Sequence, residues 1–172
     1  MSVELVRIDD RLVHGQVVEG WLKAQKITHI VVASDTVAGD ETQKALYFLA
    51  IPHGTELECL SLADAAAAWH SKTWQKGRVM VLASGPQEVL TLVQKGAEIT
   101  SINVGGMHYK EGRIQVLKAV SLNDQDVAVF KTLAAKKIIL EARPLPLDEP
   151  IDLKPYLDRW DQDRQMRQEQ PR

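Results

Sequence analysis

The chain has 172 residues, 26% of them charged, with a formal net charge of −2, which suits one folded domain and gives no electrostatic case for nucleic acid or an anionic membrane surface as the main partner. Cys59 is the only cysteine and no Cys/His pair has zinc-ligand spacing, so neither a disulfide framework nor a structural metal is expected. The opening "MSVELVRIDD" has no apolar signal core, and runs such as "IVVA" and "VMVLA" fall far short of the ~18 residues of a membrane span, so a soluble chain in a reduced, cytoplasmic setting is expected.

Strands are predicted at "VELVRI" (3–8), "HIVVAS" (29–34), "ELECLS" (56–61), "RVMVLAS" (78–84), "ITSINVG" (99–105) and "KIILEA" (137–142). Helical spacing fills most of the intervals, in "GQVVEGWLKAQ", "DETQKALYFLA", "LADAAAAWHSK" and "PQEVLTLVQKG". Asp40 is placed to cap 41–50 and Ser61 to cap 62–71, Pro86 suits a first helical turn, and Gly96 suits a helix stop. Alternating strand and helix predicts right-handed crossovers, hence a three-layer α/β/α fold with a mainly parallel central sheet. After the fifth strand the rhythm loosens, and "VGGMHYKEGRIQVLKAVSL" reads as a glycine loop followed by an irregular strand. The division expected is a core over 1–143 and, over 144–172, a proline-rich connector and C-terminal helix packed on the same domain. That helix, about 153 to 166, would anchor Tyr156, Leu157 and Trp160, with a charged, fraying tail at 161–172.

The segment "RIDDRLVHGQV" (7–17) lies where a parallel sheet gathers its binding sites, beyond the carboxyl end of a strand. His14 directly precedes a helix whose Val17, Val18, Trp21 and Leu22 face the core, and a helix start offers unpaired N–H groups to an anion. Gly15 permits close approach, and Arg11 adds a planar fork of donors matched to phosphate oxygens. A neutral imidazole among such groups is a nucleophile that can accept a phosphoryl group and release it again. Asp10 is positioned to accept a ring N–H of His14, and Asp9 to pair with Arg7 or Arg11. Spacing alone leaves a second reading open, in which "DDR" is a solvated turn and His14 only caps or packs at the helix start.

The same eleven residues resemble the phosphorylation-site signature of the enzyme IIB subunits of the mannose, fructose and sorbose family, part of the bacterial phosphoenolpyruvate-dependent sugar phosphotransferase system. "ITSINVGGMHYKEGR" (99–113) is similar to the family's second recurrent segment, and "VSLNDQDVAVFKTLAAKKIILEAR" (120–143) to its closing strand and helix pattern, so the likeness covers about 3–143. The resemblance implies that His14 is phosphorylated, at ring Nδ1, with Arg11, Gly15 and Gln16 binding phosphate and Asp10 in support. It implies a phosphohistidine donor on a IIA subunit and, as acceptor, a sugar bound by membrane subunits IIC and IID, with the chain peripherally associated with them. No cofactor or metal is required. Mannose, fructose, sorbose and amino sugars stay open as substrates, and monomer and homodimer are both compatible with the sequence.

Ser34, Asp35 and Ser84 follow strands and read as turn and capping residues. His108, Lys110 and Arg113 read either as a polar hairpin or as contacts to the phosphoryl group or donor. His29, His53 and His70 are assigned to surface or packing, and Trp69 and Trp74 to a core edge. A receiver domain, the main rival, requires an acceptor aspartate after the third strand and a lysine after the fifth, where this chain has "ECLS" and "INVG". A dinucleotide-binding enzyme requires G-x-G-x-x-G where this chain has "DDRLVHGQ". A regulator that keeps the fold and senses phosphorylation is the third alternative.

Overall fold

Short β-branched runs pair side by side in the computed structural model, which describes residues 3–71, 73–74 and 77–168. Six strands run parallel: β1 (Val3–Asp9), β2 (His29–Ala33), β3 (Glu56–Leu60), β4 (Val79–Ala83), β5 (Ser101–Gly106) and β8 (Ile139–Ala142). A two-residue strand β9 (Ile151–Asp152) adds antiparallel to β8, and the spatial order is β3-β2-β4-β1-β5-β8-β9. The antiparallel pair β6 (Ile114–Leu117) and β7 (Val120–Leu122) forms its own two-stranded ribbon, tied to the end of β5 through Met107, whose carbonyl accepts from Ser121 N–H at 2.8 Å.

Alternation along the central strands feeds two apolar cores. Ile30, Val32, Met80 and Leu82 face helix α1, whose first residues Gln16–Trp21 wind as a π-helix and whose last, Leu22–Ala24, as an α-helix; Val17, Val18, Trp21 and Leu22 are buried there. The short α2 (Asp35–Ala38) contributes Val37 to this core, and α3 (Glu41–Ala50) follows it. Val31, Ala33, Val79, Val81 and Ala83 face the other way, against α4 (Leu62–Ser71), α5 (Pro86–Gln94) and α6 (Asp124–Ala135), with Trp69, Leu92 and Phe130 buried among them. Every residue of β2 and β4 is buried, which is why both, His29 apart, read as apolar runs. The fold is the three-layer α/β/α arrangement expected.

The predicted caps form. Gln43 N–H donates to Asp40 Oδ1 at 2.9 Å, and Asp64 N–H donates to Ser61 Oγ at 3.0 Å. Gly96 ends α5 at φ +93°, with no room for a Cβ beside the His70 ring, 2.9 Å away. The C-terminal segment forms two helices rather than one, α7 (Lys154–Asp158) and α8 (Trp160–Gln168). Leu153, Leu157 and Trp160 join the α6-side core, and Trp160 Nε1 donates to Asp124 Oδ1 at 2.8 Å. Helix α8 continues through the stretch expected to fray, while Lys72 of the expected third helix and residues 169–172 of the tail lie outside the described residues.

Chain direction divides at the centre of this sheet. β1 leads through α1 past β4 to β2, whereas β5 leads outward to β8, so a crevice opens at the carboxyl ends of β1 and β5. The β1–β5 register runs Arg7↔Asn103, Ile8↔Val104 and then Asp9↔Gly106, which leaves Gly105 as an extra residue in the β5 strand. The Arg7 guanidinium occupies the space this irregularity leaves: a Cβ on Gly105 would stand 1.8 Å from Arg7 Cζ. Gly105→Ala is therefore expected to lower unfolding free energy in urea by about 3 kcal/mol or more, because it must dislodge a buried charge from its partners. Gly15→Ala, where a Cβ meets nothing within 4 Å and φ is −52°, is expected to change it by no more than about 1 kcal/mol.

Candidate functional site

β1 ends in a tight turn. Leu12 N–H donates to the Asp9 carbonyl at 2.9 Å, Arg11 N–H donates to Asp9 Oδ1 at 3.2 Å, and Asp10 N–H donates to the Gly106 carbonyl at 3.0 Å. Leu12 adopts φ +54°, a conformation that costs a leucine roughly 1–2 kcal/mol. Burial of its side chain with Val13, Val17 and Trp21, together with the turn's hydrogen bonds, holds it there. The strained turn delivers His14 to the start of α1, where its carbonyl accepts from both Val17 and Val18 N–H at 3.0 Å.

Beneath His14 lies a buried polar stack. Side chains alternate across β1, so Val6 and Ile8 enter the α4–α6 core while Arg7 and Asp9 face α1. Both charged side chains are fully buried, with Arg7 Nη2 at 2.8 Å from Asp9 Oδ2. Arg7 also donates to Asn103 Oδ1, to the Arg143 carbonyl and to the Pro144 carbonyl, the last two at 3.1 Å. Two guanidinium groups lie over the Trp21 ring, with Arg7 Cζ at 5.1 Å and Arg143 Cζ at 5.7 Å from its centre, and its Nε1 donates to the Pro144 carbonyl at 2.9 Å.

Asp9 links this stack to the imidazole. Its Oδ2 lies 3.0 Å from His14 Nε2, a contact set off the line of a straight hydrogen bond. On the other side of the ring, Gln16 N–H donates to Nδ1 at 3.3 Å. An N–H donor at Nδ1 and a carboxylate at Nε2 favour the tautomer with the proton on Nε2 and a lone pair on Nδ1. Burial alone would raise the Asp9 carboxyl, but contact with His14 and the Arg7 guanidinium hold it below the usual carboxylate range. Burial pulls Arg7 below its usual value, countered by Asp9, and a guanidinium so lowered still carries its charge.

The outer rim is solvated. Arg11 is about half exposed, at 46% of its side chain, and donates from Nη2 to Gln16 Oε1 at 3.1 Å. Its Nε is also 3.9 Å from Asp9 Oδ1. Gly15 between them carries no side chain in a space that would admit one. Arg11 and Gln16 line a groove of about 1510 Å³ together with Gly106, His108, Arg113, Pro144 and Ile151. Among the described residues no group of three or more His, Cys, Asp or Glu side chains is arranged to hold a metal.

One expected contact is corrected. Asp9, not Asp10, holds the His14 ring, because Asp9 is the last strand residue on the α1 face whereas Asp10, one position on, turns toward the end of β5. There Asp10 accepts from His108 twice, from its N–H at 3.0 Å and from ring Nδ1 at 2.6 Å. Arg7 meets Asp9 as one expected alternative had it, but its burial and its bonds to Asn103 and two carbonyls had no sequence signal beyond an arginine inside an apolar run. Arg113 pairs with Asp126 at 3.2 Å rather than hanging free. Ser34, Asp35 and Ser84 serve turns and helix starts, with Leu62 N–H on Asp35 Oδ1 at 2.8 Å and Ser84 Oγ donating to Glu88 Oε2 at 2.9 Å. His29 sits in the sheet's lower rim with Nε2 2.7 Å from Glu58 Oε1.

Residues 3–169 match the model of the PTS system sorbose subfamily IIB component. The chain is 37% identical over 152 residues to the PTS system fructose-specific EIIB component of Bacillus subtilis (strain 168), covering 88% of this chain and 93% of that one. It is 37% identical over 161 residues to the PTS system mannose-specific EIIAB component of Escherichia coli (strain K12), covering 94% of this chain and 50% of that one. The crystal structure of the IIBSor domain of the sorbose permease from Klebsiella pneumoniae superposes with a TM-score of 0.86 at 36% identity, over 94% of this chain and 98% of that one.

The depressed Asp9 carboxyl sets a pH dependence. A group whose pKa is lower folded than unfolded adds stability that is present above its unfolded value, about 3.9, and lost as pH falls through the folded one. Asp9→Asn is expected to be less stable than wild type at pH 7 by about 3–5 kcal/mol, since Arg7 is left buried without its counter-charge. The gap between the two proteins should stay constant down to about pH 4 and close below it, as measured by denaturant unfolding along a pH series.

Proposed function

Because the chain belongs to the sorbose subfamily of PTS IIB components and so is a phosphoryl carrier of a sugar phosphotransferase system, we propose that His14 Nδ1 is the atom that carries the group. The observation that carries this reading is the pairing of Asp9 with Nε2 and of a helix-start N–H with Nδ1. The first holds a proton on the far nitrogen, and the second leaves the near one unprotonated and facing a donor.

Phosphoryl transfer asks for in-line placement and charge stabilisation more than for elaborate machinery. As the Nδ1–P bond forms, the ring acquires positive charge, which Asp9 stabilises with Arg7 holding the carboxylate ionised and in place. The Gln16 N–H that met the lone pair becomes a donor to a phosphoryl oxygen. Arg11 swings from Gln16 Oε1 to the equatorial oxygens, and Gly15 leaves room for them. Asp10 acts through the turn rather than on the ring.

The donor in this reading is a phosphohistidine on a IIA subunit. A IIA partner agrees with the relative named an EIIAB component, of which the present chain matches half. The acceptor is a sugar held by membrane subunits IIC and IID, with this chain at the membrane face only while docked; no helix among the described residues is long and apolar enough to cross a membrane.

Incubation with labelled phosphoenolpyruvate, the general phosphocarriers and IIA should yield an acid-labile, alkali-stable label on His14 that is lost in His14→Ala. An acid-stable, alkali-labile label would indicate an aspartyl phosphate and overturn the assignment. Arg11→Ala should slow labelling by about 10²-fold while its thermal midpoint stays near that of wild type, since Arg11 is half exposed. Equal loss of both would make Arg11 structural.

A further inference from the structure

We propose that His108, oriented by Asp10, is the general base for the hydroxyl that discharges phosphorylated His14, an assignment that rests on the carrier reading above. Asp10 is held at one end by its own N–H on the Gly106 carbonyl, at 3.0 Å, and its two carboxylate oxygens are occupied by the N–H and the ring Nδ1 of His108. A carboxylate 2.6 Å from Nδ1 can only accept, so Nδ1 carries the proton and the neutral ring holds its lone pair on Nε2. No described residue bonds that Nε2, and the His108 side chain is 49% exposed. His108 also lines the groove that Arg11 and Gln16 line. Carboxylate, Nδ1–H and free Nε2 in series is the arrangement by which an imidazole takes a proton from a hydroxyl and keeps the resulting charge.

The two halves of the carrier cycle differ in what they need. When His14 is charged by a phosphohistidine, one N–P bond breaks and another forms, and no proton has to leave. When the group passes to a sugar, an O–P bond forms, the Nδ1–P bond breaks with its electron pair returning to the His14 ring, and the hydroxyl proton must go elsewhere. His14 cannot collect it, because in-line displacement sets Nδ1 on the opposite side of phosphorus from the attacking oxygen. Arg11 is a cation and the Gln16 amide is no base, and the groove's two carboxylates, Asp148 and Glu149, belong to the loop after β8. His108 Nε2 takes the proton, Asp10 balances the imidazolium, and solvent later removes the proton.

The full chain, as wild type, His108→Ala and His108→Asn, is charged from labelled phosphoenolpyruvate through IIA. It is then discharged on membrane vesicles bearing IIC and IID, with fructose, mannose, sorbose and N-acetylgalactosamine as acceptors. His108→Ala is expected to take label at the wild-type rate, which also shows that it folds, and to pass it to sugar about 10²-fold more slowly. His108→Asn keeps an N–H for Asp10 but cannot hold the proton, so it should discharge as slowly as the alanine variant. Wild-type discharge by His108→Asn would reduce His108 to a clamp on the turn and overturn the proposal, as would equal slowing of both half-reactions. Absence of label on wild-type His14 would overturn the carrier reading together with this one.

Discussion

The site depends on one ion pair held out of water. Arg7 and Asp9 are both fully buried, and a charge in that position is costly unless it is matched and its remaining hydrogen-bonding capacity filled. The fold meets most of that condition from three directions, while Arg7 Nε finds no hydrogen-bond partner among the described residues. Asn103 comes from the neighbouring strand, the Arg143 and Pro144 carbonyls from the loop after β8, and the Trp21 ring from the helix above. Apolar residues in the same volume would stabilise the domain at least as well. What they would not supply is an ionised carboxylate of fixed orientation under an imidazole, and this gives the pair a chemical rather than a purely structural reason to exist.

Each layer of the fold adds something to that carboxylate. The parallel sheet brings the ends of β1 and β5 together where the connections part. The extra residue in β5 makes room for a guanidinium in the middle of a sheet, where side chains usually leave none. The turn at Leu12 reverses the chain tightly enough that His14 sits back over the residue five positions before it. The π-wound first turn of α1 draws Val17 and Val18 N–H onto one carbonyl, leaving Gln16 N–H to meet the ring. Rigid sheet, strained turn and helix start together fix a ring that neither its own rotamer nor solvent would hold still.

Much of this was legible in the sequence, for identifiable reasons. The buried strands β2 and β4 are apolar on both faces, and Asp40, Ser61 and Pro86 mark helix starts through local chemistry that needs no tertiary partner. The position of His14 after a strand and before an apolar helical stripe was likewise local information. What escaped depended on contacts between distant residues. Choosing Asp9 over Asp10 required knowing the exact end of β1, since one residue of register reverses the face a side chain takes. The bond between Asp10 and His108 spans 98 positions, and β9 has two residues, too few for any periodicity to appear. The burial of Arg7 has no local signal, because nothing in the neighbouring residues announces that an arginine will be buried.

Gly105 and Arg7 also constrain how such a chain can change over generations. A methyl group at position 105 collides with the guanidinium, and a smaller residue at position 7 strands the carboxylate of Asp9 while vacating the space the glycine had kept clear. Either step taken first passes through a damaged intermediate, so the two positions form a ratchet that drift alone will seldom turn. A descendant that abandoned this chemistry would be expected to lose both together, and one that had lost only the arginine would carry, in its leftover glycine, a fossil of the pair.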